Sequence, residues 1–81
     1  MVTEVRPGEV LVEKLDEMGM TQAEFARRTG LSAKHVNRVV KGKATFGPEV
    51  AIRFERVTGV SARLWLTLQA DYQLGQARLR A

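Results

Sequence analysis

Four glycines constrain what this chain can fold into more than any other feature. Gly19, Gly30, Gly42 and Gly59 each close a stretch of helical apolar periodicity, where a glycine in the left-handed conformation ordinarily ends a helix. Two residues after three of them stands an N-cap residue: Thr21, Ser32 and Ser61. After Gly42 the restart is Gly47-Pro48, with proline at the first helical position, where its missing N–H costs nothing. The spacing predicts five helices, at about 8–18, 21–28, 32–41, 48–58 and 61–76. The only strand-like piece, residues 2–5, is too short and has no partner.

Each predicted helix has an apolar stripe. Leu11, Leu15 and Met18 mark the first. Phe25 and Ala26 serve the second, with Leu31 in the turn beyond. Val36, Val39 and Val40 share one side of the third. Ala51 and Phe54, with Val57 or Thr58, mark the fourth, and Leu64, Trp65, Leu68 and Tyr72 the fifth. Short amphipathic helices with brief connections make an all-α domain, and 81 residues leave room for one core spanning 1–81. Residues 1–6 and the tail "GQARLRA" are the expected loose ends. With no cysteine, neither a disulfide framework nor a thiolate metal site can form. No cofactor or metal is expected. No apolar run approaches the roughly 18 residues of a membrane span, and "MVTEVRPGEV" lacks a signal-peptide core. The expectation is a cytoplasmic domain without membrane contact.

Charge is distributed unevenly. The net charge is +4, yet no acidic residue occurs between Glu24 and Glu49, where Arg27, Arg28, Lys34, Arg38, Lys41 and Lys43 fall. The positive excess is therefore confined to one segment, as a footprint for a polyanion would be.

That segment has the pattern of two helices joined by a tight turn. Thr21-Gln22-Ala23-Glu24 has the form of a capping box, and "TGLS" turns the chain from the second helix into the third. This is a helix-turn-helix over 21–41. Ala26 is small enough for close approach, Gly30 suits the turn, and Val36 faces inward. The opposite face of the third helix then presents Ala33, Lys34, Asn37, Arg38 and Lys41 on neighbouring turns. Such a set suits a DNA major groove: Lys and Arg pair with guanine, Asn with adenine, and Ala touches a thymine methyl. Gln22 and Ser32, at the starts of their helices, are placed for phosphates. The third helix opens "SAKH", so no carboxylate competes for its N-terminal N–H groups or repels a phosphate. His35 is a further possible DNA contact.

"MTQAEFARRTGLSAKHVNRVVKGKA" resembles the helix-turn-helix of phage repressor-like, Xre-type regulators. With "RPGEVLVEKL" before it and "FGPEVAIRFERVTGVSARLWLTLQADYQL" after it, the chain resembles HigA/VapI-type antitoxins over about residues 6 to 74. Arg6, where these proteins often have His, and Thr67, where Asn is frequent, depart from the pattern. The resemblance implies a five-helix lambda-repressor-like fold. It also implies a homodimer that binds a double-stranded operator of two half-sites, represses its own operon, and neutralises an mRNA-cleaving toxin. Carried over by position, it implies base contacts at Ala33, Lys34, Asn37 and Arg38, and phosphate contacts at Gln22, Ser32, Lys41, Lys43 and Thr45. The dimer element would be the last helix, around Trp65, Leu68 and Tyr72. Similar domains also occur as stand-alone Xre-type repressors and ahead of a metallopeptidase-like domain in longer regulators. No H-E-x-x-H occurs in this chain.

Other function classes fit less well. Catalysis has little to work with: one His, no Cys, no acidic orienter near Ser32 and His35, and no phosphate-binding glycine loop. A protein-only docking module would need aromatic and apolar anchors on the third helix, which instead carries Lys, Asn and Arg. Sequence-specific RNA modules rely on exposed stacking aromatics, whereas the aromatics here fall mostly on core stripes.

Overall fold

The computed structural model describes residues 5–81. It contains α1 (Pro7–Met18), α2 (Gln22–Thr29), α3 (Ala33–Val40), α4 (Pro48–Thr58) and α5 (Ala62–Arg80), with no strand among the described residues. Most of the segment 2–5 lies outside the described residues.

The punctuation operates as the residue types dictate. Among the described residues those with positive φ are Gly19, Gly30, Gly42 and Gly59. Thr21, Ser32 and Ser61 cap α2, α3 and α5, accepting from the backbone N–H groups of Glu24, His35 and Leu64 at 3.0–3.1 Å. Pro48 opens α4 behind Gly47. Glu9 provides a cap not foreseen from the sequence: its Oε1 reaches back to accept from the Arg6 backbone N–H at 3.2 Å. At α2 the expected capping box is only half formed. Thr21 caps the helix, but Glu24 turns away and pairs with Arg28 at 2.9 Å.

The expected loose tail is helical. α5 continues through Gly75 to Arg80, because Gln76, Ala77, Arg78, Leu79 and Arg80 favour helix and Gly75, which is buried, does not adopt a positive φ.

The core is Leu11, Leu15, Phe25, Ala26, Val36, Val39, Phe46, Ala51, Phe54 and Trp65. Phe54 is its hub. Its ring lies 5.2 Å from Phe25 of α2, 5.2 Å from Phe46 in the α3–α4 loop and 5.4 Å from Trp65 of α5, centroid to centroid. The arrangements are tilted or edge-on, as aromatic quadrupoles prefer. Around this hub α4 packs on α5, and α2 on both α3 and α4. α1 closes the core by packing on α3 and α5. Two residues on the expected stripes face outward: Met18 is 40% exposed in the last turn of α1, and Leu64 is 47% exposed beside Trp65.

The α1–α3 contact is backbone-close. A β-carbon on Gly8 would lie 2.7 Å from both the Cα and the carbonyl carbon of Val40, and would overlap the Val40 oxygen. Gly8 is needed here for space, since its φ is not positive. Gly8→Ala should therefore force α1 off the end of α3 and destabilise the fold by about 1–3 kcal/mol. Urea unfolding should show a lower midpoint with an unchanged slope; an unmoved midpoint would mean that α1 can shift freely.

Candidate nucleic-acid interface

Helix α3 is built to turn one face in and one face out. Val36 and Val39 are buried and Val40 half-buried, whereas Ala33, Lys34, Asn37, Arg38 and Lys41 are exposed. The sequence predicted these five together on one surface, and the fold brings them there. Lys43 and Thr45, in the loop after α3, are exposed as well. The three ion pairs among the described residues, Arg6–Glu9, Lys14–Glu17 and Arg28–Glu24, leave the cations of α3 and its loop unneutralised.

The N-terminal end of α3 joins the start of α2. Ser32 Oγ accepts from the His35 N–H at 3.0 Å, which leaves its own hydroxyl hydrogen free to donate. Half-buried Gln22 accepts through Oε1 from Asn37 Nδ2 at 3.3 Å. This pairing could not be read from residues fifteen apart in the sequence. It sets a candidate phosphate contact and a candidate base contact against each other across the α2–α3 crossing.

The C-terminal end of α3 closes in a Schellman motif. Lys43 N–H donates to Arg38 O at 2.8 Å and Gly42 N–H to Val39 O at 3.0 Å, with Gly42 at φ 74°. The Arg38 side chain folds along this turn and donates from Nη2 to the Lys43 carbonyl at 3.1 Å. Arg38 thus stays exposed while supporting the loop, a second role its position on the outer face does not reveal.

Two residues stand differently from expectation. His35 is only half-exposed, and its Nε2 is buried with no hydrogen-bond partner among the described residues, so that nitrogen does not face a groove. Trp65 is fully buried within its own chain, so its side chain has no surface for a second copy; the need to fill the core around Phe54 has claimed it. Leu68 and Tyr72 keep half-exposed surface on α5, and Leu64, Leu74 and Leu79 expose 47%, 51% and 76% of theirs. No group of three or more His, Cys, Asp or Glu that could hold a metal occurs among the described residues, and none of their helices is long and apolar enough to cross a membrane.

Comparison with known proteins agrees with the fold. Residues 11–65 match the helix-turn-helix family. The chain is 38% identical over 77 residues to the HTH-type transcriptional regulator YddM of Escherichia coli K12, covering 95% of this chain and 82% of that protein. Among solved structures it is similar to PA4674 of Pseudomonas aeruginosa in complex with its 18-bp operator DNA. The TM-score is 0.90 at 33% identity, over 100% of this chain and 88% of that one. It is also similar to the P. aeruginosa antitoxin HigA with the higBA promoter, with a TM-score of 0.88 at 34% identity, over 96% and 86% of the two chains.

Proposed function

The chain belongs to the helix-turn-helix family of transcription regulators, in its Xre-like branch, and from that premise we propose that it is a sequence-specific DNA-binding repressor acting as the antitoxin of a HigBA-type pair. The observation that carries the DNA reading is the outer face of α3: exposed Ala33, Lys34, Asn37 and Arg38, with no acidic residue from 25 to 48. In this reading those four side chains meet base edges in the major groove. Gln22, Ser32, Lys41, Lys43 and Thr45 grip the flanking phosphates. The likeness to proteins solved with operator or promoter DNA supports it.

Two copies bind as a two-fold dimer on half-sites about one helical turn apart, or a multiple of it. The dimer contact falls to Leu68 and Tyr72 with the exposed leucines of α5, and not to the enclosed Trp65. The antitoxin role is supported by the likeness to the antitoxin HigA over nearly the whole chain; in this reading the partner is an mRNA-cleaving toxin.

Fluorescence anisotropy against the DNA upstream of the protein's own gene, with a scrambled duplex as control, tests the proposal. Tight binding to the promoter over the scramble is expected; equal, weak, salt-sensitive binding to both would reject sequence-specific repression. Ser32→Asp should keep the cap and hence the folding stability, since Asp caps as well as Ser. It should nevertheless weaken DNA binding about tenfold or more, because its carboxylate faces a phosphate. A variant that binds as well as wild type would remove Ser32 from the phosphate set. Arg38→Ala should cost about 1–3 kcal/mol of promoter binding and relax selectivity at one base pair. An equal loss on both duplexes would reassign Arg38 from base contact to loop support.

A further inference from the structure

The loop between α3 and α4 carries Lys43 and Thr45, two of the proposed phosphate contacts, yet it has little backbone structure of its own. Its first residues belong to the turn that ends α3. Beyond Lys43, the N–H groups of Ala44, Thr45, Phe46 and Gly47 make no backbone–backbone hydrogen bond among the described residues. The backbone of this part of the loop is tied by one side chain of α5. Gln69 of α5 accepts the Phe46 N–H on Oε1 at 2.9 Å and donates from Nε2 to the Phe46 carbonyl at 2.8 Å. A single primary amide thereby satisfies both peptide groups of one residue, as a neighbouring strand would.

The Phe46 ring is anchored separately, buried against Phe54. Ala44 packs against the edge of the core, but exposed Thr45 has no comparable backing. An open groove of about 450 Å³ runs between Gly42, Ala44 and Thr45 on one side and Tyr72, Gln73 and Gln76 of α5 on the other. Space, not packed side chains, separates Thr45 from the last helix, and Gln69 bridges that space at its edge.

We infer that Gln69 is a positioning residue for DNA binding: its two hydrogen bonds to Phe46 hold the loop beyond Lys43 in the shape that presents Thr45 to a phosphate. The inference rests on the DNA-binding reading above and deepens it. A loop held before contact loses less conformational freedom when it binds. If releasing it leaves the competent shape populated about a tenth of the time, the apparent Kd rises about tenfold. Because Gln69 lies on the helix that also carries Leu68 and Tyr72, the same amide links the proposed dimer element to the DNA-contacting loop.

The test uses Gln69→Met, which keeps the length of the side chain and removes both hydrogen bonds. Two readouts are taken well below the unfolding temperature: amide exchange at Phe46 in the free protein, and anisotropy on the promoter and scrambled duplexes over a salt series. The expected result is faster Phe46 exchange with about tenfold weaker binding to both duplexes. The salt slope should stay unchanged because no charge is lost, whereas Lys43→Ala should flatten it by about 0.9. If Gln69→Met does not fold, Gln69→Glu serves instead. Its carboxylate keeps the acceptor for the Phe46 N–H but cannot donate to the Phe46 carbonyl. Binding should then be impaired at neutral pH and recover as the pH falls through the carboxyl's range. Unchanged exchange in Gln69→Met, or binding of Gln69→Glu that does not recover at low pH, would show that Gln69 does not hold the loop, and faster exchange in Gln69→Met with unchanged affinity would show that the loop's shape is not needed. Either would overturn the inference. Failure of the wild-type protein to bind its own promoter would overturn the DNA reading and this inference with it, a result visible before any variant is made.

Discussion

The Phe54 ring is the contact on which the rest of the structure depends. It touches Phe25, Phe46 and Trp65 at 5.2–5.4 Å, one residue each from α2, the loop after α3, and α5. Helix α3 has eight residues, too few to be stable alone in water. It is held because the elements before and after it in the chain hang from that ring, while Val36 and Val39 close its inner side. Gly8 completes the arrangement by letting α1 reach the Val40 backbone. The outward face of α3 is thus oriented by contacts on its opposite side.

This division of labour lets the proposed DNA surface be poor in stabilising charge pairs. Its cations have no carboxylate partners among the described ion pairs, and surface pairs would contribute little to stability in any case. Neutral groups hold it instead: Ser32 caps α3, the Gln22 and Asn37 amides meet across the helix crossing, and Gln69 secures the loop. Two guanidinium groups add to these: Arg6 bonds the Lys41 carbonyl, and Arg38 bonds the Lys43 carbonyl while keeping further donors exposed. An interface held without carboxylates keeps its positive field for an anionic partner.

Much of this was legible from short-range patterns. Gly19, Gly30, Gly42 and Gly59 and the caps Thr21, Ser32 and Ser61 act through neighbours within a few residues, so their spacing located five helices. The 3.6-residue period then put Val36 and Val39 inside and Lys34, Asn37 and Arg38 outside. The misreadings share a cause: periodicity gives the direction of a side chain but not the edge of the core. Met18 and Leu64 point along apolar stripes yet lie where neighbours cover them only in part. Gly75 has the residue type of a helix stop, but burial inside α5 keeps it helical.

The sequence by itself determined the helices, their inner and outer faces and the acid-free segment, because these follow from local sterics, capping and charge placement. The tertiary structure alone decided which distant groups meet. Gln22 with Asn37, Gly8 with Val40 and Gln69 with Phe46 are separated by 15 to 32 residues. Only the packing angles of the helices about Phe54 bring them together. It also decided that Trp65 belongs wholly to the core and Leu79 to the surface. Burial depends on what the rest of the chain places alongside a residue, and a helical period carries no information about that.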